Sequence, residues 1–364
     1  MNSKEPIGII EFGSSNLKCL IFKIDENNNS EILSATITSS EGIDNDVVMN
    51  LKKASDSIRL AISTAEKKAK ISLKKINVIF EQPDFLCTRF SKHKKIDDSK
   101  IYRNDIEFLL KEAKKQLMHN DKNQSIIHIF NHNYVVDGKI FLEEPINVYA
   151  DSLTHEMTFI TAPKNNLRNM NQIFIDCDLE IERLISKTFA LGVELFDAKE
   201  LQSGVVLLDL GPKKISLGLF KNLALIHSVT FPIGVDHITN DLSKVCSLNL
   251  DESSKIKKEF NFIFENNKNL FDENNFLKKD FFINSKYRKI SKSLIFNIIK
   301  ARIDEIFEIT KKQIVRTELN PSAGTNLFIT GGGSRLCNIE KYCSNFFKTE
   351  VKKLGKNRKL SEKI

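Results

Sequence analysis

The stretch IGIIEFGSSNLKCLIF, Ile7 to Phe22, aligns without a gap on VVLLDLGPKKISLGLF, Val205 to Phe220, at a constant offset of 209 − 11 = 198. In both copies apolar residues lead to an acid-x-glycine, Glu11 and Gly13 in the first, Asp209 and Gly211 in the second. After three more residues an apolar stretch returns and closes at Phe22 or Phe220. Each copy reads as a β-hairpin with an acid at its tip. Two such hairpins far apart in one chain predict two similar lobes, each presenting a polar turn to a shared cleft. Turns of this kind suit a phosphate and its magnesium.

A third segment adds to the pair. Asn326 to Ile329 reads as a short strand, Thr330-Gly331-Gly332-Gly333-Ser334 as a glycine loop, and Asn338 to Phe347 as a helix. Strand, glycine turn and helix start together make an anion cradle, and glycines let a backbone come close to a ligand. A single acid-x-glycine is as consistent with a plain hairpin turn. Three turns, two of them related by a repeat, favour a ligand.

Outward from these segments, the pattern is α/β. Apolar residues at 47, 51, 54, 58, 61, 65 and 69 predict an amphipathic helix over Val47 to Lys70. Short strands INVIF, FLCTRF, SIIHIF, YVVDG and MTFIT surround a helix over Asp105 to Leu117, built on Ile106, Leu109, Leu110, Ala113 and Leu117. They read as an inserted α+β module. Asn165 is placed to cap a helix through Phe174, followed by the strand IERLIS. Beyond Gly234 helices dominate: Asp236 to Val245, Asp251 to Phe264, and a long one over Ile290 to Ile314 with Leu294, Ile298, Ile306 and Phe307 inward. Asn266 to Asn275 reads as a loop. The domain boundaries expected are 1–77 and 164–198 for the first lobe, 78–163 for its insert, 199–334 for the second lobe with a helical part near 235–300, and 335–364 for a return to the first lobe and a basic tail.

Composition narrows the class. The 364 residues, at about 150 per domain, predict two domains or one large duplicated one. The apolar fraction of 41% is that of an ordinary globular chain, and no apolar run approaches the roughly 20 residues of a membrane span. The start, MNSKEPIGIIEFG, is unlike a signal peptide, so the cytoplasm is expected. A net charge of +8 comes from scattered lysines without a basic stripe interleaved with aromatics, and no nucleic acid is expected. The six cysteines, Cys19, Cys87, Cys177, Cys246, Cys337 and Cys343, form no CxxC pair and read as reduced, mostly buried thiols. His128 and His132 sit in a strand-like HIFNH with no acid or thiol ligand nearby, which argues against a metal there.

The repeat and the glycine turn resemble the actin-like ATPase superfamily, whose members hold ATP and magnesium between two lobes. FPIGVDHITNDL (Phe231 to Leu242), IIKARIDEIFEI (Ile298 to Ile309) and LFITGGGSRLCNIE (Leu327 to Glu340), with NYVVDG and the opening hairpin, are similar to the bacterial division family FtsA from Ile7 to about Val351. The resemblance implies a two-lobed actin-like fold, a duplicated ribonuclease-H-like architecture, with an FtsA-type subdomain inserted in the first lobe. It implies nucleotide binding by Glu11, Gly13, Ser14, Ser15, Asp209, Gly211, Lys214, Lys257, Gly331, Gly332 and Gly333, with magnesium held through water by Glu11 and Asp209. It also implies a scaffold role at the septum. The chain would join FtsZ to the inner face of the membrane, self-associate into filaments and meet other divisome proteins through the insert.

Departures from the family pattern bear on this. Glu11 stands where the family has aspartate, and Pro212, Lys213, Lys214, Ile215 and Ser216 follow Gly211 in place of a glycine-rich run. Proline has no N–H to offer a phosphate, so the expected ATPase is weak or absent, with Lys213 and Lys214 supplying charge in place of amides. In DESSKIKKEF, Lys257 matches the family's base-contacting helix while Ser254 replaces an acid. The acidic and apolar FtsZ tail is expected to dock at Tyr287 to Leu294 through Arg288 and Lys292. The tail carries Lys352, Lys353, Lys356, Arg358, Lys359 and Lys363 with only Leu354, Leu360 and Ile364 as apolar anchors. The family normally continues beyond this point to an amphipathic membrane helix. At roughly 1 kcal/mol per basic residue near anionic lipid, reversible and salt-sensitive membrane association is expected. Two other readings stay open: an actin-fold phosphotransferase or phosphatase of sugar kinase or polyphosphatase type, which needs a carboxylate base that spacing does not assign, and a nucleotide-free interaction module.

Overall fold

The computed structural model describes residues 5–26, 29–317 and 326–354. The chain divides into two compact units, 1–194 with 222–229, and 195–221 with 230–364. The first unit opens with β1 (Ile7–Glu11), β2 (Asn16–Ile24), β3 (Ser30–Ser39), the short pair β4 (Ile43–Asp44) and β5 (Val47–Val48), α1 (Leu51–Ala69) and β6 (Lys75–Phe80). An insert follows: β7 (Leu86–Lys100), α2 (Arg103–Asn120), β8 (Gln124–Val136), β9 (Lys139–Phe141) and β10 (Tyr149–Pro163). The chain then adds α3 (Lys164–Ile175), β11 (Glu180–Ser186) and α4 (Lys187–Leu195).

The chain goes on through α5 (Ala198–Ser203), β12 (Val205–Leu210), β13 (Ile215–Lys221), β14 (Ala224–Phe231), most of which is grouped with the first unit, α6 (Asp236–Cys246), α7 (Leu250–Glu259), α8 (Lys292–Val315), β15 (Asn326–Thr330), α9 (Ile339–Phe347) and β16 (Val351–Lys353). The two main sheets run β3-β2-β1-β6-β11 and β14-β13-β12-β15-β16. In each, an antiparallel hairpin is extended by parallel strands, β1 to β6 and β12 to β15. The repeat is therefore one of topology as well as of sequence, and the fold is the duplicated actin-like one.

Burial explains the strand choice. Every residue of β12 is buried, the mark of a central strand covered on both faces. In β1 and β2 the alternation puts Ile10, Leu17, Cys19 and Ile21 inside. Helix α1 covers that sheet with Ala54, Ile58, Ala61, Ile62 and Ala65. It begins at Leu51, not Val47, because the Asn50 side chain accepts from Lys53 N at 3.0 Å and caps it there. Val47 and Val48 pair instead with Ile43 and Asp44. Asn165 caps nothing: α3 starts at Lys164 directly after Pro163.

The insert is a four-stranded sheet, β7-β10-β8-β9, with α2 on one face. Ile106, Leu109, Ala113 and Leu117 are buried on α2 as its spacing predicts, and Phe90 and Phe159 meet edge-on at 5.2 Å beneath it. SIIHIF and YVVDG are one strand, β8, bulged against β10. INVIF lies outside the insert, in β6 of the main sheet between β1 and β11.

In the second unit α8 starts at Lys292, where the Ser291 side chain accepts from Leu294 N. Its inward face is Ile295, Ile299, Ile303, Ile306 and Phe307, while Leu294 is exposed and Ile298 half-buried. Arg302 holds Asp241 of α6 through two bonds of 2.7 and 3.0 Å. Helix α7 stops at Glu259, short of Phe264. The expected loop at 266–275 is anchored, because buried Asn267 bonds the carbonyls of Asn261, Ile263 and Phe264 and accepts Asn261 N. Residues 335–354, expected to return to the first lobe, complete this unit instead. β16 pairs parallel with β15, and Ile339, Cys343 and Phe347 of α9 are buried. Of the basic tail, Lys356, Arg358, Lys359 and Lys363, with Leu360 and Ile364, lie outside the described residues.

Fully buried Glu252 ties α7 to the segment before α8. Its carboxylate accepts Asn249 N at 2.9 Å, Asn284 N at 2.8 Å, Ser285 N at 3.0 Å and Ser285 Oγ at 2.6 Å. Burial alone would raise its pKa; the Ser285 hydroxyl and the three amides outweigh that and hold it down at about 2. A folded pKa below the unfolded one means that the stabilisation is complete above about pH 4.5 and is lost as pH falls towards about 2. Glu252→Gln should therefore cost about 2–4 kcal/mol in urea denaturation at pH 7. The gap from the unaltered chain should narrow as pH falls below about 4.5.

Candidate functional site

In open α/β sheets ligands meet the carboxyl ends of the parallel strands. Those ends carry Glu11, Glu81 and Ser186 in the first unit and Asp209, Gly331 and Leu354 in the second. The two acids sit at equivalent register, Glu11 opposite Lys18 and Asp209 opposite Ser216.

The first turn is closed by Gly13, where a Cβ would fall 2.6 Å from Asn16 O. Ser14 is braced from below: its hydroxyl accepts Asp46 N at 3.2 Å, and the buried Asp46 carboxylate accepts Glu81 N at 2.9 Å. Ser15 O accepts Ser40 N at 3.1 Å. Glu11 faces two cations, with Lys18 Nζ 2.6 Å from Oε2 and Lys187 Nζ 3.4 Å from Oε1. Burial works against the charge on Glu11, but Lys187 first and then Lys18 keep its carboxyl below the ordinary range. Next to them, buried Glu81 caps the start of α4, accepting Ser186 Oγ and Thr188 N, each at 2.8 Å. Lys18, Lys187, Asp46 and Glu81 escaped the sequence reading.

The second turn is built on contacts between backbones. A Cβ on Gly211 would lie 2.4 Å from Lys214 O. The carbonyls of Gly211 and Pro212 accept Val235 N at 3.0 Å and Asp236 N at 2.9 Å, so the start of α6 is fixed to the turn. Gly234 allows this, since a Cβ there would be 2.2 Å from Pro212 O. Lys257 is held beside them, donating to Asp236 Oδ1 at 2.8 Å and to Val235 O at 3.2 Å. The glycine loop closes the group. Gly331 has φ of +84°, and a Cβ on it would sit 2.2 Å from Asp209 Oδ1; on Gly333 it would sit 2.5 Å from Val235 Cγ1. Gly332 alone has nothing within 4 Å of that position. The structure thus gathers Asp209, Gly211, Gly331 and Gly333, with Lys257 on the adjoining helix start. Lys213 and Lys214 are half-buried in the turn itself.

The family model for cell division protein FtsA matches residues 206–362, and that for the SHS2 domain inserted in FTSA matches 86–161. The chain belongs to the FtsA family. Relatives named cell division protein FtsA include that of Agrobacterium fabrum, 22% identical with 92% of this chain and 77% of the relative covered. That of Neisseria meningitidis is 23% identical, covering 95% and 83%. Among solved structures, a PilM-PilN type IV pilus biogenesis complex aligns at TM-score 0.64 and 12% identity, over 96% of this chain and 88% of that one. MreB 5 of Spiroplasma citri bound to AMPPNP aligns at 0.55 and 12%, over 96% and 92%. These neighbours show an actin-like fold.

The expected magnesium does not fit Glu11 as this FtsA-family chain arranges it. Each carboxylate oxygen faces its own ammonium. A divalent cation, even through water, would be set against two positive charges. Among the described residues, no group of three or more His, Cys, Asp or Glu is placed to hold a metal ion.

The other expected contact residues lie at the start of α8. Lys292 is buried, 8% exposed, with its ammonium 4.3 Å from the centre of the Phe264 ring. Arg288 precedes the helix, is exposed and donates to Ser247 O at 2.5 Å. The exposed cations of that segment are Lys286, Arg288 and Lys289.

The glycine geometry separates packing from ligand access. Gly331→Ala combines a positive φ with a clash against the Leu210 backbone, so it should destabilise the chain by about 2–4 kcal/mol in thermal or urea unfolding. Gly332→Ala should leave stability within about 0.5 kcal/mol. If its position faces a ligand, the added methyl should weaken nucleotide binding only.

Proposed function

We propose that the chain is an FtsA-type division scaffold, linking FtsZ polymers to the inner face of the cytoplasmic membrane as a peripheral, self-associating adaptor. The observation that carries this reading is the occurrence in one chain of the duplicated sheets and the 86–161 insert, with FtsA-specific family models matching the insert and residues 206–362, which hold the second sheet's central strands. No helix among the described residues is long and apolar enough to cross a membrane. The membrane role therefore rests on peripheral attachment, to which exposed Lys352 and Lys353 would contribute.

ATP is the proposed ligand, and in the second unit the Asp209 turn and the Gly332 opening would meet it. The second turn has Pro212 in place of an amide donor, and each charge-assisted hydrogen bond lost to a phosphate is worth about 1.5–3 kcal/mol. Binding is accordingly weak and hydrolysis slow. Restoring glycine at Pro212 and Lys213 together should tighten ATP about tenfold or more in calorimetry and leave adenosine nearly unchanged. A chain that binds neither would fit the nucleotide-free interaction module.

The start of α8 suits an acidic, apolar peptide. Ile283, Tyr287 and Leu294 are exposed beside Lys286, Arg288 and Lys289. With a labelled FtsZ tail peptide at low salt, Arg288→Glu should weaken binding about tenfold by fluorescence anisotropy. Lys292→Met should change it less than about twofold, because that ammonium is spent on Phe264. Unchanged affinity in the Arg288 variant would remove this docking site.

A further inference from the structure

The insert sheet runs β7-β10-β8-β9, so β7 is an edge strand that pairs on one side only, with β10. Its two halves treat that edge differently. The second half carries Lys92, His93, Lys94 and Lys95 in succession, the kind of charged guard that keeps an edge from pairing with other chains. The first half, Leu86 to Ser91, reads LCTRFS and has one charge. Leu86, Arg89 and Ser91 are exposed there, while Phe90 is buried in a cluster with Leu117, Met157 and Phe159. An edge that is packed in place yet unguarded is a template for another strand.

A cavity of about 560 Å³ follows this half of the strand. One wall is β7 between Leu86 and Ser91, and the end of α2 supplies another with Gln116 and Asn120. Gln116 takes the Lys92 ammonium on Oε1 at 2.5 Å, which leaves its Nε2 as a donor. Gln124, which also lines the cavity, has a buried Oε1 with no partner. A slot with a strand edge along one wall and carboxamides on another fits an extended polypeptide, which offers N–H and C=O groups on both of its sides. Alternation sets the sequence such a strand would have. Leu86, Thr88 and Phe90 share the α2 face, opposite Thr161, Phe159 and Met157, so side chains added on that face meet apolar neighbours. Arg89 belongs to the other face, and neither it nor Asp121, the acid on the α2 side of the cavity, is in an ion pair among the described residues. We propose that the first half of β7 takes an extended peptide as a fifth strand of the insert sheet, with apolar residues towards α2 and an acidic residue beside Arg89. The site lies wholly within the insert and needs neither the ATP nor the FtsZ reading.

The test uses the full chain and a fluorescein-labelled peptide that alternates valine with glutamate and threonine. By anisotropy it should bind with Kd below about 1 mM, and N-methylation of its backbone amides should weaken it about tenfold or more, because strand pairing needs those amides. Arg89→Glu, shown folded by circular dichroism, should weaken the peptide about tenfold and favour a version with lysine in place of glutamate. Hydrogen exchange followed by mass spectrometry locates the strand: with peptide bound, amides within 86–91 should exchange about tenfold more slowly, and those of 92–100 should change less than about twofold. Binding that N-methylation leaves unaltered would overturn the proposal, since side chains alone would then hold the peptide. Protection confined to any other edge would overturn it as well, as would no binding up to about 1 mM.

Discussion

The register of two hairpins holds the architecture in place. Ile7 pairs with Phe22 and Val205 with Phe220, so both acids arrive at the carboxyl end of a strand that also pairs in parallel, with β6 or with β15. A slip of one residue would turn the first hairpin's buried face outward and, in the second, exchange side chains between two packed faces. Ile10, Leu17, Ile21, Leu208, Leu217 and Leu219 are all fully buried, and each is worth roughly 1.5–3 kcal/mol of burial. Core packing and the position of the acids are thus the same constraint, which is why the turns can diverge in chemistry while the strands do not.

The divergence follows from how each turn is braced. At the first turn side chains take part in the bracing, the Ser14 hydroxyl on Asp46 and the lysines on Glu11. At the second it is main chain, with the start of α6 bonded to the carbonyls of Gly211 and Pro212. A turn held through carbonyls tolerates a proline, since no bond it needs passes through the missing N–H. That accounts for how Pro212 sits in the hairpin without disturbing the Asp209 register, and it limits the cost of the substitution to ligand binding.

The repeat, the α/β class and the insert were legible because they are periodic over many residues, and the hairpins carried the register with them. Lys18 was legible in principle, since a hairpin joining Ile7 to Phe22 must place it opposite Glu11. Lys187 was not, because it reaches Glu11 only through the order of strands in the sheet, which places β11 beyond β6. Helix boundaries failed where one side chain decides them, as at Asn50, Pro163 and Ser291. The inward face of α8 was misread because its residues are apolar around most of the circumference, so that Leu294 and Ile298 compete with Ile295 and Ile299 for the same period. Asn267 shows the opposite case, a polar residue in a polar run that is buried as a four-bond anchor.

The glycine triplet shows why a motif and its function overlap only in part. Gly331 is needed because Asp209 and the Leu210 backbone occupy the space a side chain would take, and Gly333 because Val235 and Leu210 do. Both serve the junction of β12, β15 and α6 whether or not anything binds. Gly332 has no such neighbour, so its lack of a side chain has no packing cause within reach. The same three letters therefore carry two packing constraints and one opening. The two packing glycines are what hold the backbone at Gly332 against the strand end that carries Asp209, so the opening depends on the packing although the packing does not depend on the opening.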